Sequence, residues 1–426
     1  MIVIGAGVTG EAVARDARAR GETVVVVDDD VHRAPDSVDS AAGLRALSTT
    51  DFVVPSPGVP PSHPLLVAAQ QLGVPVRPEI ELAAERASAP IVAITGTNGK
   101  TTVTTLVAEM LARSGARVVT AGNIGRPLLD SVTEPADVIV AEVSSFQLTW
   151  ATVFRPRVAV LLNLAEDHLD WHGDFAAYAR AKANVFAGQQ GDDMLVYNGD
   201  DPAVARLAEE APARRVPFSA RPSAIGYRVS RDALLDSDGR ELASRASLPP
   251  HADLENALAA AAVAREAGAT DDAIRETLAT FPSLPHRVAS VGEAGGVRWI
   301  DDSKATNPHA AAYAIGKFDR VVLIAGGRNK GLDLGSLRAR TDHIAAVVAI
   351  GESADEVVEA FRGDVADVCR AHSMREAVRA AARLARPGDT VLLSPACASF
   401  DWYDGYSARG DAFADEVAEL IGEASR

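Results

Sequence analysis

Short runs of β-branched and aliphatic residues alternate along this chain with longer alanine-rich stretches. Parallel strands buried on both faces between crossover helices leave this imprint. The pattern predicts an α/β fold. After an opening apolar run at Met1–Ile4, the first part of the chain carries Val24–Val27, Phe52–Val54 and Val74–Val76, with Gly, Pro and Ser between them. A second series follows Pro90, with strands at Ile91–Ile94, Val118–Val119, Val138–Val140 and Val158–Leu162, and a helical stretch at Val103–Ala112. Two prolines between Phe281 and Arg287 interrupt a helical stretch, and a third series begins: Val297–Ile300, Val321–Ile324, Val347–Ile350 and Val391–Leu393. The punctuation predicts domains at 1–87, 88–284 and 285–426. The polar, weakly periodic segment 211–250 fits either hairpins or a mobile excursion.

Length and composition narrow the class without naming it. At about 150 residues per domain, 426 residues allow two to four domains with real cores, and 47% hydrophobic against 23% charged residues is ordinary globular usage. A net charge of −16 repels phosphate backbones and anionic lipid, so nucleic acid is not an expected partner. Cys369 and Cys397 are far apart and lack metal-ligand spacing, which suits a reducing compartment rather than a disulfide framework. The longest apolar run, Leu258–Ala264, is far shorter than the roughly 18–20 residues of a membrane span. The opening residues lack the basic start and cleavage site of a signal peptide, so a cytoplasmic location is expected.

The sharpest chemical signal is Thr95-Gly96-Thr97-Asn98-Gly99-Lys100-Thr101-Thr102, between a strand and a helix. Glycines let backbone N–H groups converge on an anion at a helix N-terminus; Lys100 adds a cation, and the Thr101 hydroxyl can reach a magnesium ion. The first glycine of the common GxxxxGK[ST] spacing is replaced by Ile94. Gly5-Ala6-Gly7-Val8-Thr9-Gly10, with Asp28 ending the next strand, has the form of a dinucleotide fingerprint, which a glycine turn packing a helix onto a sheet explains equally well. Ser56-Pro57-Gly58 follows another strand. Glu142 ends a strand and His168 follows one; carboxyl ends of parallel strands share a crevice, where an acid can hold a hard cation. The last series carries His286-Arg287, Asp302-Ser303-Lys304-Ala305-Thr306-Asn307, Lys330 and Ser394-Pro395-Ala396-Cys397-Ala398-Ser399, cationic and hydroxyl groups suited to anions.

As a set, these motifs resemble the Mur ligase family over nearly the whole chain, and within it the D-glutamate-adding members. The family-wide marks are Gly96–Thr102, Glu142 with Ser144-Ser145-Phe146-Gln147, His168 and His286-Arg287; the Asp302–Asn307 and Ser394–Ser399 segments carry the subtype. The resemblance implies three domains: a Rossmann-like N-terminal one, a central P-loop ATPase domain with a mainly parallel sheet, and a Rossmann-like C-terminal α/β domain. It implies ATP on Gly96, Thr97, Asn98, Gly99, Lys100, Thr101 and Thr102, with further nucleotide contacts from Asn256, Arg287, Asp302 and Lys304. Two magnesium ions are implied near Thr101, Glu142 and His168, with Lys182 carbamylated beside them. The UDP-substrate contacts implied are Val8, Thr9, Gly10, Asp28, Ser56, Pro57, Gly58, Asn123, Gln147 and His286. The D-glutamate contacts are Thr306, Lys330, Ser399 and Tyr406. One motif departs: Pro250-His251-Ala252-Asp253-Leu254-Glu255-Asn256 displaces the family's histidine and carries Asp for the middle Asn.

The implied reaction is ATP-dependent, ADP-forming ligation of D-glutamate to UDP-N-acetylmuramoyl-L-alanine through an acyl phosphate, in peptidoglycan precursor synthesis, by a monomer. Other Mur-type or folylpolyglutamate-type amide ligases share the earlier motifs. A nicotinamide-dependent oxidoreductase would use Gly5, Gly7, Gly10 and Asp28 but leaves Gly96–Thr102 idle. A nucleotide-binding switch would use that loop but has no need of Lys182 or the anion groups near the C-terminus.

Overall fold

The computed structural model describes residues 1–30, 36–221, 225–249 and 252–424. It is an α/β chain that divides into two compact units, 1–164 with 176–281, and 165–175 with 282–426.

The first unit holds two sheets. A small parallel one is formed by β1 (Ile2–Ile4), β2 (Val25–Val27) and β3 (Val53–Pro55), in the order β2-β1-β3. The third expected run, Val74–Val76, does not become a strand: Val76 makes a single parallel bridge to Val53, because Pro75 in its middle has no N–H to donate to a ladder. The larger sheet comprises β4 (Ile91–Thr95), β5 (Val118–Gly122), β6 (Val138–Glu142), β7 (Val158–Leu161), β8 (Met194–Asn198), β9 (Arg214–Ser219), β10 (Tyr227–Val229), β11 (Ala233–Leu235) and β12 (Glu241–Ser244). Its order is β12-β11-β10-β9-β8-β7-β4-β6-β5, parallel from β5 to β10 and antiparallel through the last two. The described residues of the polar 211–250 segment carry β9 to β12, at one edge of this sheet.

Every residue of β4 is buried, as expected of a central strand covered on both faces. The Leu258–Ala264 run lies in the helix Leu254–Glu266, and Ala257–Ala264 are all buried. A helix apolar all round belongs in a core, and its alanines let it pack closely on the helix Lys100–Arg113 and on β7 to β10. Among the described residues, no helix is long and apolar enough to cross a membrane. The connecting helix Glu79–Arg86 is tied to the larger sheet's layer by two buried carboxylates. Glu79 accepts from the Leu129 N–H at 2.6 Å and Glu81 from the Val153 N–H at 2.7 Å.

The second unit is built on β13 (Ala289–Ala294), β14 (Val297–Asp301), β15 (Val321–Gly326), β16 (Ile344–Ile350), β17 (Asp367–Arg370) and β18 (Thr390–Leu393), ordered β13-β14-β18-β15-β16-β17. Only the β13/β14 pair is antiparallel. One apolar cluster on each face fills the space beneath its helices.

The opening glycines are a packing requirement. In the helix Val8–Ala19, a Cβ at Gly10 would fall 1.9 Å from the Gly5 carbonyl oxygen, whereas one at Gly58 would meet nothing within 4 Å. Gly10→Ala is expected to cost at least about 1–3 kcal/mol of stability, by forcing helix and strand apart. Gly58→Ala should stay within about 0.5 kcal/mol of wild type. Chemical denaturation of the two variants checks this.

Candidate active site

The loop after β4 turns on backbone and side-chain bonds supplied by its neighbours. The Asn98 N–H donates to Asn163 Oδ1 at 2.8 Å, and Asn163 Nδ2 donates back to the Asn98 carbonyl at 3.2 Å. The Thr97 hydroxyl meets the Tyr178 hydroxyl at 2.9 Å. Gly99 has φ +86°, and a Cβ there would lie 2.2 Å from Asn256 Oδ1, so only glycine lets Asn256 approach this turn. Lys100 opens the helix Lys100–Arg113, and its Nζ donates to the carbonyls of Gly96 at 3.0 Å and Thr97 at 2.9 Å. Lys182 is buried, with its Nζ donating to the same Gly96 carbonyl at 2.7 Å and lying 4.8 Å from the Tyr178 ring centroid. Two ammonium groups thus meet one oxygen beside the N-terminal end of a 14-residue helix. Such a concentration of positive potential suits a polyanion. Thr101 and Thr102 lie in that helix's first turn.

Glu142 ends β6, with Ile94 beside it in register on β4. Its Oε1 accepts from Asn123 Nδ2 at 2.7 Å; its Oε2 is buried and has no hydrogen-bond partner. Gln147 is committed locally: its Oε1 accepts from the Ser144 N–H at 3.0 Å and the Ser144 hydroxyl at 2.9 Å, in a capping box on the helix Ser145–Leu148. Asn256 lies in the first turn of the helix Leu254–Glu266, whose N-cap is Asp253; the displaced Pro250-His251 pair lies outside the described residues.

Along the carboxyl ends of β1 to β3 runs a cavity of about 570 Å³ lined by Gly7, Val8, Thr9, Asp28, Ser56, Pro57 and Gly58, together with Asp29, Ser40 and His63. That volume is in the range of small-ligand sites. Both oxygens of Asp28 are engaged by backbone, from Ala6 at 2.8 Å and Asp30 at 2.9 Å, and the Ser56 hydroxyl donates to the Gly5 carbonyl at 2.8 Å. These side chains set the shape of the cleft wall. Burial pushes the His63 imidazole below its ordinary value, against the opposing charge of Asp29.

In the second unit, Asp167 receives the Lys330 ammonium and Asn307 Nδ2, the latter at 3.1 Å. Burial pulls the Asp167 carboxyl up, but the charges of Lys330 and His168 and the bonds from Lys330 and Asn307 outweigh it and hold it low. His168, His286 and Ala396 have φ of 54°, 60° and 61°, conformations that side chains other than glycine's rarely adopt and that concentrate at functional sites. His286 Nδ1 bonds Asp301 at 2.6 Å, and Lys304 Nζ lies 3.6 Å from the Tyr406 ring centroid. Asp302 is buried and takes the Ser394 hydroxyl at 2.8 Å; burial pushes it up to about 7. Arg287 and Thr306 are half-buried, and Ser399 is buried.

Several organising residues escaped the sequence reading. Asn163 and Tyr178 lock the loop; only the four-residue spacing of Tyr178 and Lys182, one face of a helix, hinted at the latter. Asp167 receives Lys330 and is itself bonded by Asn307 Nδ2. Arg409, which no motif marks, is buried and donates to Ser303 Oγ at 3.0 Å, the Ser303 carbonyl at 2.8 Å and the Cys397 carbonyl at 3.1 Å, joining two strand-end loops. Burial pushes its guanidinium down to about 10. Among the described residues, no three His, Cys, Asp or Glu side chains group into a protein-only metal cage. Magnesium usually needs only one or two carboxylates beside phosphate oxygens and water, and the buried Glu142 Oε2, without a hydrogen-bond partner, fits that requirement.

Burial raises Glu79, Glu255 and Asp302 each to about 7. The folded protein therefore holds protons that the unfolded chain releases above about pH 4, and their stabilising contribution is lost as pH climbs towards 7. Asp302→Asn should flatten this fall, removing a slope of up to about 1.4 kcal/mol per pH unit. Thermal midpoints of wild type and variant from pH 4.5 to 8 check it; parallel curves contradict it.

The Mur ligase middle domain matches residues 94–264, and the Mur ligase, glutamate ligase domain matches 286–397. The UDP-N-acetylmuramoylalanine–D-glutamate ligase of Frankia casuarinae is 45% identical, covering 98% of this chain and 93% of its own. The protein of the same name from Pelotomaculum thermopropionicum is 43% identical over 99% and 97%. Among solved structures, a pseudomurein peptide ligase type C from Methanothermus fervidus aligns with TM-score 0.62 at 19% identity, over 98% and 99% of the two chains. A UDP-N-acetylmuramate–alanine ligase from Thermotoga maritima aligns with TM-score 0.61 at 17% identity, over 98% and 99%; both likenesses are of fold. On the full-length sequence relationship and the two domain matches, the chain belongs to the Mur ligase family.

Proposed function

We propose that this chain joins D-glutamate to UDP-N-acetylmuramoyl-L-alanine with ATP, releasing ADP and phosphate, in the cytoplasmic synthesis of a peptidoglycan precursor. The Lys100 ammonium on the Gly96 and Thr97 carbonyls, in the first turn of the helix that follows the loop, carries the reading: a polyphosphate supplies the negative charge that a cation at a helix N-terminus favours. Full-length relatives of that name support the choice of substrates.

The division of labour proposed is 1–87 for the UDP moiety, 88–284 for ATP on a P-loop, and 285–426 for D-glutamate, the first and last Rossmann-like. The cavity at β1 to β3 takes the UDP group, with the amides of Val8 and Thr9 at a helix N-terminus facing the diphosphate and Asp28 and Ser56–Gly58 shaping the wall. Asn123, Gln147 and His286 serve the muramoyl-alanine part. Gly96–Thr102 and Asn256 hold the nucleotide, and Arg287, Asp302 and Lys304 are further nucleotide contacts in this reading.

The carboxylate of the acceptor attacks the γ-phosphorus, the bond to the β-phosphate oxygen breaks, and ADP leaves. Lys100 neutralises charge on the transferring group and holds it in line. Magnesium, when bound at Thr101, Glu142, His168 and carbamylated Lys182, neutralises further phosphate charge. The amine of D-glutamate then attacks the acyl carbon and gives up a proton to His168 or to substrate phosphate; the C–O bond breaks and phosphate departs. Carbamylation of Lys182 leaves one N–H for the Gly96 carbonyl and exchanges an ammonium beside Lys100 for a carboxylate, turning repulsion into attraction.

D-glutamate brings two carboxylates and one ammonium. Lys330, Thr306 and Ser399 match the carboxylates, with the Tyr406 ring beside them, and no acid is needed for a distal ammonium as a diamine would require. Lys330→Ala is expected to raise the KM for D-glutamate about 10- to 150-fold, the equivalent of a lost charge-assisted hydrogen bond of about 1.5–3 kcal/mol, with little change for ATP or the UDP-linked acceptor. Phosphate release with each substrate omitted in turn, and with L-lysine or meso-diaminopimelate in place of D-glutamate, checks the assignment. Turnover without the UDP-linked acceptor, an unchanged KM in the variant, or preference for a diamine contradicts it.

A further inference from the structure

Asn123 follows β5 directly, and its backbone N–H donates to the Glu142 carbonyl at 2.8 Å. Its side chain returns to the same residue, with Nδ2 donating to Glu142 Oε1 at 2.7 Å. A carboxylate oxygen can only accept, so the amide nitrogen must face it, and this orientation is set by chemistry. Glu142 is 2% exposed, while Asn123 is open to solvent on its other side. The carboxylate is thus held from one side by one amide, and its second oxygen, Oε2, is buried with no partner.

A buried carboxylate oxygen left unpaired is costly, and native structures retain one where a cation or proton completes it. A flexible glutamate with both oxygens uncommitted would rotate among several rotamers. Binding one oxygen to a residue that is itself fixed by a backbone hydrogen bond removes that freedom before the cation arrives.

The geometry points to Asn123 as a positioning residue: its amide clamps Oε1 of Glu142 so that Oε2 is presented to the divalent cation. This rests on the reading of Glu142 as a metal ligand and goes beyond the assignment of Asn123 to substrate contact. The exposed face of the same amide remains available to the acceptor, so one side chain borders both the carboxylate and the substrate.

The test is Mn²⁺ binding, followed by the electron paramagnetic resonance of the free ion, to full-length protein saturated with a non-hydrolysable ATP analogue. Wild type is compared with Asn123→Leu, Asn123→Ala, Glu142→Gln and the Asn123→Leu/Glu142→Gln double variant. Substitutions of outer groups that orient a metal ligand typically cost 10- to 100-fold in metal affinity. Both Asn123 variants are expected to weaken Mn²⁺ binding about 10-fold, and the double variant to bind no more weakly than Glu142→Gln alone. Unchanged Mn²⁺ affinity in both Asn123 variants, with a raised KM for the acceptor, overturns the positioning role and leaves Asn123 as a substrate contact. Additive losses in the double variant also overturn it, because the two side chains then act separately. Unchanged affinity in Glu142→Gln overturns the ligand reading itself and the proposal with it, a result distinct from the other two. Both Asn123 variants strip buried Glu142 Oε1 of its hydrogen bond and are expected to lower the thermal midpoint, so Mn²⁺ binding is measured well below it, and two different replacements guard against a local effect of either.

Discussion

Much of the first unit's chemistry depends on one carbonyl oxygen, that of Gly96, which accepts from both Lys100 and Lys182. To place two ammonium groups on one oxygen, the fold fixes three things at once. β4 is buried between β6 and β7, so the loop leaves from a rigid point. Asn163, at the end of the neighbouring β7, bonds Asn98 in both directions and sets the turn. The helix Phe175–Ala183 presents Tyr178 and Lys182 one turn apart, the first bonding Thr97 and the second Gly96. Lys100 and the positive end of the helix Lys100–Arg113 then make an anion at this point favourable before any substrate contact is considered.

The second unit uses buried charge differently. Arg409 lies almost wholly out of water and spends its donors on the Ser303 and Cys397 loops. Asp302 is kept by Ser394, and Lys330 by Asp167. A buried charge contributes little net stability but strongly penalises any arrangement that strands it. Distributed over loops that follow β14, β15 and β18, such groups hold side chains whose backbones would otherwise be loose.

The strands were readable because a strand buried on both faces must be continuously apolar, and Ile91–Ile94, Val138–Val140, Val321–Ile324 and Val391–Leu393 all lie in strands. What escaped the pattern had physical reasons. Val74–Val76 has strand-forming ends but a proline centre, and only a bridge survives. β9 to β12 lie at the edge of the larger sheet, where polar residues are tolerated and the apolar signal fades. Glu142 and Lys100 were legible from their strand-end and loop contexts. Asn163, Tyr178 and Arg409 were not, because an asparagine, a tyrosine and an arginine carry no mark of the hydrogen bond they will make until the chain folds. Gln147, read as a substrate contact, has its side-chain oxygen engaged in a cap, a use the local Ser-x-x-Gln spacing also encodes.

The central claim is that the phosphate loop serves to activate the acceptor's carboxylate by phosphorylation. The most direct measurement uses UDP-N-acetylmuramoyl-L-alanine with both oxygens of the alanine carboxylate labelled with ¹⁸O, incubated with ATP and D-glutamate, followed by mass analysis of the released phosphate. An acyl phosphate breaks at its C–O bond when the amine attacks, so each phosphate should carry one ¹⁸O and the new amide should keep the other. Unlabelled phosphate accompanied by amide formation would contradict the account.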